Sequence, residues 1–240
     1  MKPEFHESND FVAEGSVRVL NLLENLRTLA KASFGLSLTT HTDESLRGFL
    51  SLDLAVRHDI ESKLAASLQI FQEAAQEGTL DTSSEIQIRC VNKAIWKYGF
   101  FAKGDWEHLV EATDVIEIYD FNNTQIYRNL EFLRVCSYDL LKVMTSEWWM
   151  LWDRSEKALD DLRRCVGLVY DANGPIELNI PQFLTREKSA ERRAFLTRFK
   201  WFIPLWKPGQ SRPEAFVSLA AGPEVELPGS LDLHFMGRSA

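Results

Sequence analysis

Apolar residues in the first part of the chain recur at the three- and four-residue spacing of helices that bury one face. The first stripe comprises Val12, Val19, Leu20, Leu23, Leu26 and Ala30. The second comprises Ile60, Leu64, Leu68, Phe71 and Ala75, and the third comprises Ile88, Val91, Ile95 and Tyr98. Thr42 is placed to cap the second helix, and Thr82 with Glu85 forms a capping box before the third. The pattern predicts a bundle-like helical domain over residues 1–112, with a loop at 35–42.

The pattern changes near Asp114, where β-branched and aromatic residues replace the helical stripes. Val115–Tyr119 and Thr124–Tyr127 flank a pair of asparagines, which predicts a β-hairpin. A second hairpin is predicted around Asn173 and Gly174, with strands at 166–170 and 176–178, because Asn-Gly is a strong turn signal.

The remaining segments of the second half alternate between helical and extended character. Residues 130–165 are typical of helix, and 186–198 fit helix or strand. Pro204 and Pro208 are expected to bound an exposed stretch, and 215–219 and 225–233 are predicted as closing strands. The predicted fold class is therefore α+β, with a helical domain at 1–112 and a mixed helix and sheet domain at 113–240.

Composition places the chain among ordinary globular proteins. Hydrophobic residues make up 45% and charged residues 26%, and fifteen Phe and seven Trp supply ample area for a core. Cys90, Cys136 and Cys165 are odd in number and far apart, which argues against a disulfide framework and for a reducing compartment. No stretch approaches the ~20 apolar residues of a membrane span, and the polar N-terminus lacks a signal-peptide pattern. The expected location is the cytoplasm.

Motifs for common catalytic chemistry are absent from the sequence. There is no glycine-rich phosphate loop, G-x-S-x-G elbow, H-E-x-x-H or paired C-x-x-C. The five histidines, His6, His41, His58, His108 and His234, do not combine into a metal-ligand spacing. The sequence therefore identifies no catalytic residue, cofactor or metal site and favours a non-enzymatic protein, while an enzyme with a site outside these motifs stays an alternative.

One stretch of the chain combines positive charge with aromatic residues. The formal net charge is −8, yet residues 183–212 hold eight basic and only two acidic side chains, which leaves +6 there and −14 elsewhere. A protein partner, nucleic acid, a membrane surface, or the acidic remainder of this chain would each suit such a surface. The candidate partner-binding residues are Arg192, Arg193, Arg198, Lys200, Trp201 and Trp206.

A tryptophan cluster lies upstream of this stretch. Trp148, Trp149 and Trp152 fall within five positions. Helical spacing would put Trp148, Leu151 and Trp152 on one side, where they either anchor a core or form the wall of an aromatic ligand pocket.

The residues around the first predicted hairpin also carry a resemblance to a known family. Val115–Asp120, Gln125–Asn129 and then Cys136–Leu141 follow an order that resembles the first half of a PAS sensory domain. Asn129 stands at the asparagine of that family, and Tyr138 and Leu141 stand in its tyrosine-leucine motif, although Cys136 and Ser137 replace the usual glycine.

The resemblance implies a five-stranded antiparallel sheet with helices on one face, which either holds a small ligand or pairs with a second copy. The expected pocket residues are Phe132, Tyr138, Trp149 and Trp152. The expected function is regulatory or sensory, exerted through protein–protein contacts or self-association as a homo-oligomer, with or without a small ligand. A nucleic-acid-associated protein using residues 183–212 is the alternative.

Overall fold

A computed structural model describes residues 8–77, 84–121, 125–222 and 224–226. The helices are α1 (Ser8–Phe34), α2 (Asp43–Leu50), α3 (Leu54–Gln76), α4 (Ser84–Lys97), α5 (Leu130–Val135), α6 (Leu140–Thr145), α7 (Trp148–Leu151) and α8 (Glu156–Val169), with a short 3-10 helix at Glu107–Leu109. The strands are β1 (Phe101–Ala102), β2 (Val115–Asp120), β3 (Gln125–Arg128), β4 (Trp152–Asp153), β5 (Ile176–Glu177), β6 (Phe183–Glu187), β7 (Ala194–Thr197), β8 (Phe199–Trp206), β9 (Ala215–Ala220) and β10 (Glu224–Glu226).

The chain forms two compact units. The helical unit holds the described residues of Met1–Leu80 together with Tyr138–Thr145, and the α+β unit holds those of Asp81–Ser137 and Ser146–Ala240. The predicted α+β fold class, helical first and sheet-containing afterwards, is confirmed. The predicted division at 112/113 stays a prediction about domains, because a compact unit is not by itself an independently folding one.

In the helical unit, α1 and α3 bury the predicted stripes. Leu23 and Leu26 of α1 and Leu64 of α3 are buried, and the Phe34 and Phe71 rings meet edge-on with centroids 6.3 Å apart. Thr42 caps α2 as predicted, since its hydroxyl oxygen accepts the Ser45 N–H at 3.2 Å.

The helix predicted from Thr42 onward is in fact two helices, α2 and α3, separated by residues 51–53. The apolar stripe used for the prediction begins only at Ile60, so it carried no information about the break. Ser51 ends α2, and its N–H bonds back to the Arg47 and Gly48 carbonyls.

The uniform helical stretch predicted at 130–165 is wrong. It divides into four helices and a short strand, β4, and α6 belongs to the helical unit, where Leu140 N–H donates to the Thr39 carbonyl at 3.0 Å. Asp139 immediately precedes α6, and its Oδ1 accepts the Lys142 N–H at 2.8 Å. Trp152 consequently lies on a strand, and the tryptophans do not share one helix face.

The α+β unit contains two antiparallel sheets. The larger has the order β1-β8-β9-β2-β3, with β5 also paired to β8, and the smaller has the order β10-β7-β6-β4. The hairpin predicted at 115–127 is confirmed, because Glu117 pairs with Arg128 and Ile118 with Tyr127. Its asparagine turn and the capping box at Thr82 lie outside the described residues, as does most of the predicted strand 225–233.

The second predicted hairpin is wrong. Residues up to Val169 belong to α8, whose buried Leu162, Cys165 and Val169 follow helical spacing. The Asn-Gly pair lies in the connection that leads into β5, and β5 pairs with β8 rather than with the preceding segment. The Asn-Gly turn signal is therefore local, but the strand that follows it pairs with β8, which is distant in the sequence.

Pro204 does not bound an exposed stretch; it is buried inside β8. On the side of β8 away from β9, β5 pairs with Trp201 and Phe202 while β1 pairs with Leu205 and Trp206. Pro204 falls between these two short partners. Proline cannot donate a backbone hydrogen bond, and it is tolerated at this position because neither β5 nor β1 pairs with it there.

Asn129 joins the hairpin to α5 and to α4. Its fully buried side chain accepts the Ile116 N–H and the Phe132 N–H, both at 3.0 Å. Its amide nitrogen donates to the Asp114 carbonyl at 2.7 Å and to Gln87 Oε1 at 3.0 Å. One side chain thus caps α5 and satisfies four buried groups.

Replacing Asn129 with alanine is expected to destabilise the α+β unit by about 2–4 kcal/mol, because two buried N–H groups lose their acceptor. The measurement is urea unfolding followed by tryptophan fluorescence. Asn92→Ala is the matched control, since Asn92 makes one exposed hydrogen bond to Glu107, and its expected cost is below about 0.5 kcal/mol. Equal losses for the two variants would contradict the prediction.

Candidate functional site

The α+β unit contains a cavity of about 240 Å³ between one face of the larger sheet and α8. It is lined by Glu117, Tyr119, Phe121, Trp148, Arg154, Leu162, Arg163, Val166, Tyr170, Phe199, Phe202, Phe216 and Ser218. The volume corresponds to about eight water molecules at ~30 Å³ each, so the cavity suits a molecule of one or two rings.

Strand alternation explains which side chains reach the cavity. Glu117 pairs with Ser218 and Tyr119 pairs with Phe216, while Phe202 pairs with Ser218 from the other side. Because alternate residues of a strand share a face, these five side chains lie on the same side of the sheet. Ser218 has the smallest side chain of the five and lies between Glu117 and Phe202. Its short side chain leaves open space over this face of the sheet.

Aromatic rings form most of the cavity wall. Tyr119 and Phe216 are stacked with centroids 5.6 Å apart, and Phe202 lies 4.8 Å from Phe216. Phe121 and Tyr170 are stacked at 3.9 Å with an interplanar angle of 20°. Tyr170 is 39% exposed, so it belongs to the cavity wall and to the protein surface together.

Glu117 is the buried acid of the cavity. Its Oε1 accepts the Tyr119 hydroxyl at 2.9 Å and a hydrogen bond from the Gln125 amide. Burial raises the pKa of the Glu117 carboxyl, although the nearby Arg128 charge, the Tyr119 hydroxyl and the Arg154 charge act to lower it. A buried acid with a shifted pKa inside a cavity is a common feature of functional sites.

Arg154 is one of two arginines in the cavity lining and lies in the connection between β4 and α8. Its guanidinium carbon stands 5.4 Å from the Trp148 ring centroid, 5.8 Å from that of Trp152 and 5.9 Å from that of Phe199. Its Nε donates to Thr185 Oγ1 at 3.3 Å. Burial lowers the pKa of this guanidinium, while Tyr119 and Glu117 act to raise it.

A second cavity of about 50 Å³ adjoins the first. Glu117, Arg154 and Phe199 line both. The remaining lining of the small cavity is mainly apolar: Val115, Phe132, Val135, Trp152, Thr185, Phe195, Thr197, Ala220 and Ala221. The polar pair Glu117 and Arg154 therefore stands at the boundary of the two cavities.

The predicted pocket residues are only partly brought together. Phe132 and Trp152 meet edge-on at 6.2 Å and line the small cavity. Trp149 is 38% exposed and lines neither cavity, and Tyr138 belongs to the helical unit. Trp148, for which the spacing of the tryptophan cluster predicts either a core anchor or the wall of an aromatic pocket, lines the large cavity.

The candidate partner-binding residues are distributed between surface and interior. Arg192 and Arg198 are exposed, whereas Trp206 is fully buried and Trp201 half-buried. Arg193 pairs with Glu191 at 2.7 Å. Base stacking requires exposed rings, and the Phe195, Phe199 and Phe202 rings of the same stretch are buried as well.

Lys200 is bound inside the α+β unit. Its Nζ lies 2.9 Å from both carboxylate oxygens of Asp114, which is fully buried, and 3.3 Å from Glu111. The register of β8 against β9 shifts between Phe199 and Trp201, so Lys200 sits at a bulge. The acidic remainder of the chain thus supplies the partner for this cation.

Sequence reasoning missed the residues that define the large cavity. Glu117 carried a usable signal, because it is the one acid inside an otherwise apolar and aromatic strand, Val115–Tyr119. Arg154 and Ser218 carried none, since one lies in a connection and the other looks like an ordinary strand serine. Only the strand pairing shows that these three share a site.

Comparison with known proteins found no protein-family model that matches the chain and no similar curated protein. The antiparallel sheet agrees with the PAS resemblance but does not identify a PAS domain, so the resemblance stays a hypothesis. Among the described residues, no helix is both long and apolar enough to cross a membrane. In those same parts of the chain, no three His, Cys, Asp or Glu side chains are grouped to hold a metal ion.

Proposed function

We propose that this protein is a regulatory or sensory protein that binds a small molecule in the large cavity and signals through contacts with another protein. The cavity itself is the observation that carries the proposal. It combines aromatic walls with two convergent polar groups, Glu117 and Arg154, whose pKa values are shifted by burial. Apolar cavities with a few such groups are the usual form of small-molecule sites.

The cavity lining favours binding over catalysis. Its thirteen lining residues include no histidine and no cysteine, and within the described residues its one serine, Ser218, makes no hydrogen bond to the neighbouring carboxylate of Glu117. A nucleophile needs such a base within hydrogen-bond reach. The site therefore offers recognition groups, and the proposal assigns it a binding role.

Tyr170 supports the signalling part of the proposal. It lines the cavity, stacks on Phe121 and is 39% exposed, and the neighbouring Leu168 is 55% exposed. A ligand that contacts Tyr170 would change the mobility of this surface segment. A partner protein that binds there would then distinguish the empty from the occupied state.

Indole, a small uncharged planar probe, is expected to bind in the cavity. Saturation-transfer NMR should show binding to the native protein, and Ser218→Leu should weaken it by at least about tenfold because the added carbons fill the cavity. Ser211→Leu places the same side chain on an exposed loop and should leave binding unchanged. Backbone hydrogen exchange at 166–171 should slow when indole is bound.

Two results would count against the proposal. The first is equal binding of indole by the Ser218→Leu and Ser211→Leu proteins, which would place the probe elsewhere. The second is failure of indole and of other one- and two-ring compounds to bind the native protein. Indole binding without any change in backbone hydrogen exchange at 166–171 would reject the proposed signalling role and leave the proposed ligand binding intact.

A further inference from the structure

The guanidinium of Arg154 is held in the cavity wall with little hydrogen bonding of its own. Within the described residues, its Nε bond to Thr185 is the only hydrogen bond that the side chain makes, and no carboxylate pairs with it. The guanidinium carbon lies over the rings of Trp148, Trp152 and Phe199, 5.4 to 5.9 Å from their centroids, and the other N–H donors of the group make no hydrogen bond within the described residues. A guanidinium has five N–H donors, and its paired edge matches a carboxylate.

The other charged groups of the cavity are already engaged. Glu117 has donors of its own in Tyr119 and Gln125. Arg163, the second arginine of the lining, pairs with Asp160 at 3.0 Å near the surface, with 70% of its side chain exposed. Arg154 is therefore the group best placed to hold an anion inside the cavity.

We propose that the ligand is a small planar aromatic carboxylic acid, whose carboxylate pairs with Arg154 and whose ring lies among Tyr119, Phe202 and Phe216. This inference rests on the proposed function and narrows it to a ligand class. The volume of about 240 Å³ limits the ligand to one or two rings. The stacked and tilted rings of the wall favour a flat ligand body.

The proximity of Glu117 predicts how the affinity depends on pH. The groups that act on the Glu117 carboxyl are the Tyr119 hydroxyl, the Gln125 amide and the charges of Arg128 and Arg154, and burial raises the pKa of this carboxyl above its ordinary value. A bound carboxylate raises the pKa of Glu117 further, because like charges disfavour ionisation. Binding should therefore be accompanied by proton uptake at Glu117, and affinity should rise as pH falls through the raised pKa of this carboxyl.

The test compares naphthalene-1-carboxylate with naphthalene-1-carboxamide, which has nearly the same shape and no charge. Isothermal titration of the unmodified full chain should give about 10- to 100-fold tighter binding of the acid, the range expected for a charge-assisted hydrogen-bonded pair. Arg154→Met should abolish this preference and leave amide binding within about threefold. Arg164→Met is the matched control, because Arg164 is an exposed arginine that pairs with Asp161 and lies outside the cavity lining, and it should keep the preference.

The acid and amide comparison on the unmodified chain does not depend on the folding of any variant. Equal affinity for the two compounds, failure of both to bind, or retention of the preference by Arg154→Met would overturn the inference. Indole binding that is sensitive to Ser218→Leu, combined with equal acid and amide affinity, would keep the proposed function while rejecting the ligand class. Failure of the native protein to bind indole or other one- and two-ring compounds would instead reject the proposed function.

Discussion

Replacing Lys200 with methionine is expected to destabilise the α+β unit by about 3–5 kcal/mol at pH 7.5. The substitution leaves the Asp114 carboxylate fully buried, and among the described residues only the Glu111 N–H, at 2.9 Å, still donates to it. Burial already raises the pKa of Asp114, although the Glu111 N–H and Lys200 act against the shift. Methionine fills much of the same space, so the expected loss reflects the uncompensated charge.

The loss should depend on pH in a defined direction. Removing Lys200 raises the pKa of Asp114 in the folded state still further above its value in the unfolded state. A carboxyl whose pKa is raised in the folded state contributes its full stability at low pH. This contribution to the free energy of unfolding decreases as the pH rises through the folded-state pKa. The difference in the free energy of unfolding between the native protein and Lys200→Met should therefore be smaller at pH 5 than at pH 7.5.

Tryptophan fluorescence is a suitable measure of this change. All seven tryptophans lie in the α+β unit, so urea unfolding followed by this signal reports on that unit. The double variant Lys200→Met with Asp114→Asn should recover most of the loss, since no buried charge remains. Lys207→Met, which breaks an exposed pair with Glu214, should cost less than about 1 kcal/mol. A pH-independent loss, or no recovery in the double variant, would show that the charge is not the cause.

Replacing Trp206 with alanine is expected to destabilise the same unit by about 3–5 kcal/mol, because it leaves a large cavity in a packed core. Trp206 is fully buried at the β1 end of β8, where the Phe101 ring lies 6.3 Å away and Lys103 Nζ lies 4.1 Å from the indole centroid. Among the described residues, nothing accepts a hydrogen bond from its indole N–H.

The unsatisfied N–H allows a second, distinguishing variant. Trp206→Phe keeps an aromatic ring and removes the buried donor, so its expected cost is at most about 2 kcal/mol. Trp96→Ala is the surface control: Trp96 is 85% exposed, and the expected change is within about 0.5 kcal/mol. Urea unfolding of the three variants tests whether the loss of stability decreases from Trp206→Ala to Trp206→Phe to Trp96→Ala. A Trp206→Ala protein as stable as Trp96→Ala would place Trp206 outside the core.

The sequence alone determined the elements whose causes are local. The apolar stripe of α1, the Thr42 cap of α2 and the β2–β3 hairpin follow from periodicity, capping and turn chemistry within about 30 consecutive residues each. For the same reason the α+β class was predictable, because helical and alternating patterns occupy different parts of the chain.

Only the tertiary structure decided which segments meet. The Asn-Gly turn signal near Gly174 did not show that β5 pairs with β8, and nothing near Leu140 showed that α6 belongs to the helical unit. The cavity depends on Glu117, Arg154 and Ser218, which are brought together by the β2–β9 register and by the placement of α8. Strand pairing is non-local, and shifting a strand by one residue reverses the face of every side chain. The site therefore follows from the register, which local sequence patterns do not encode.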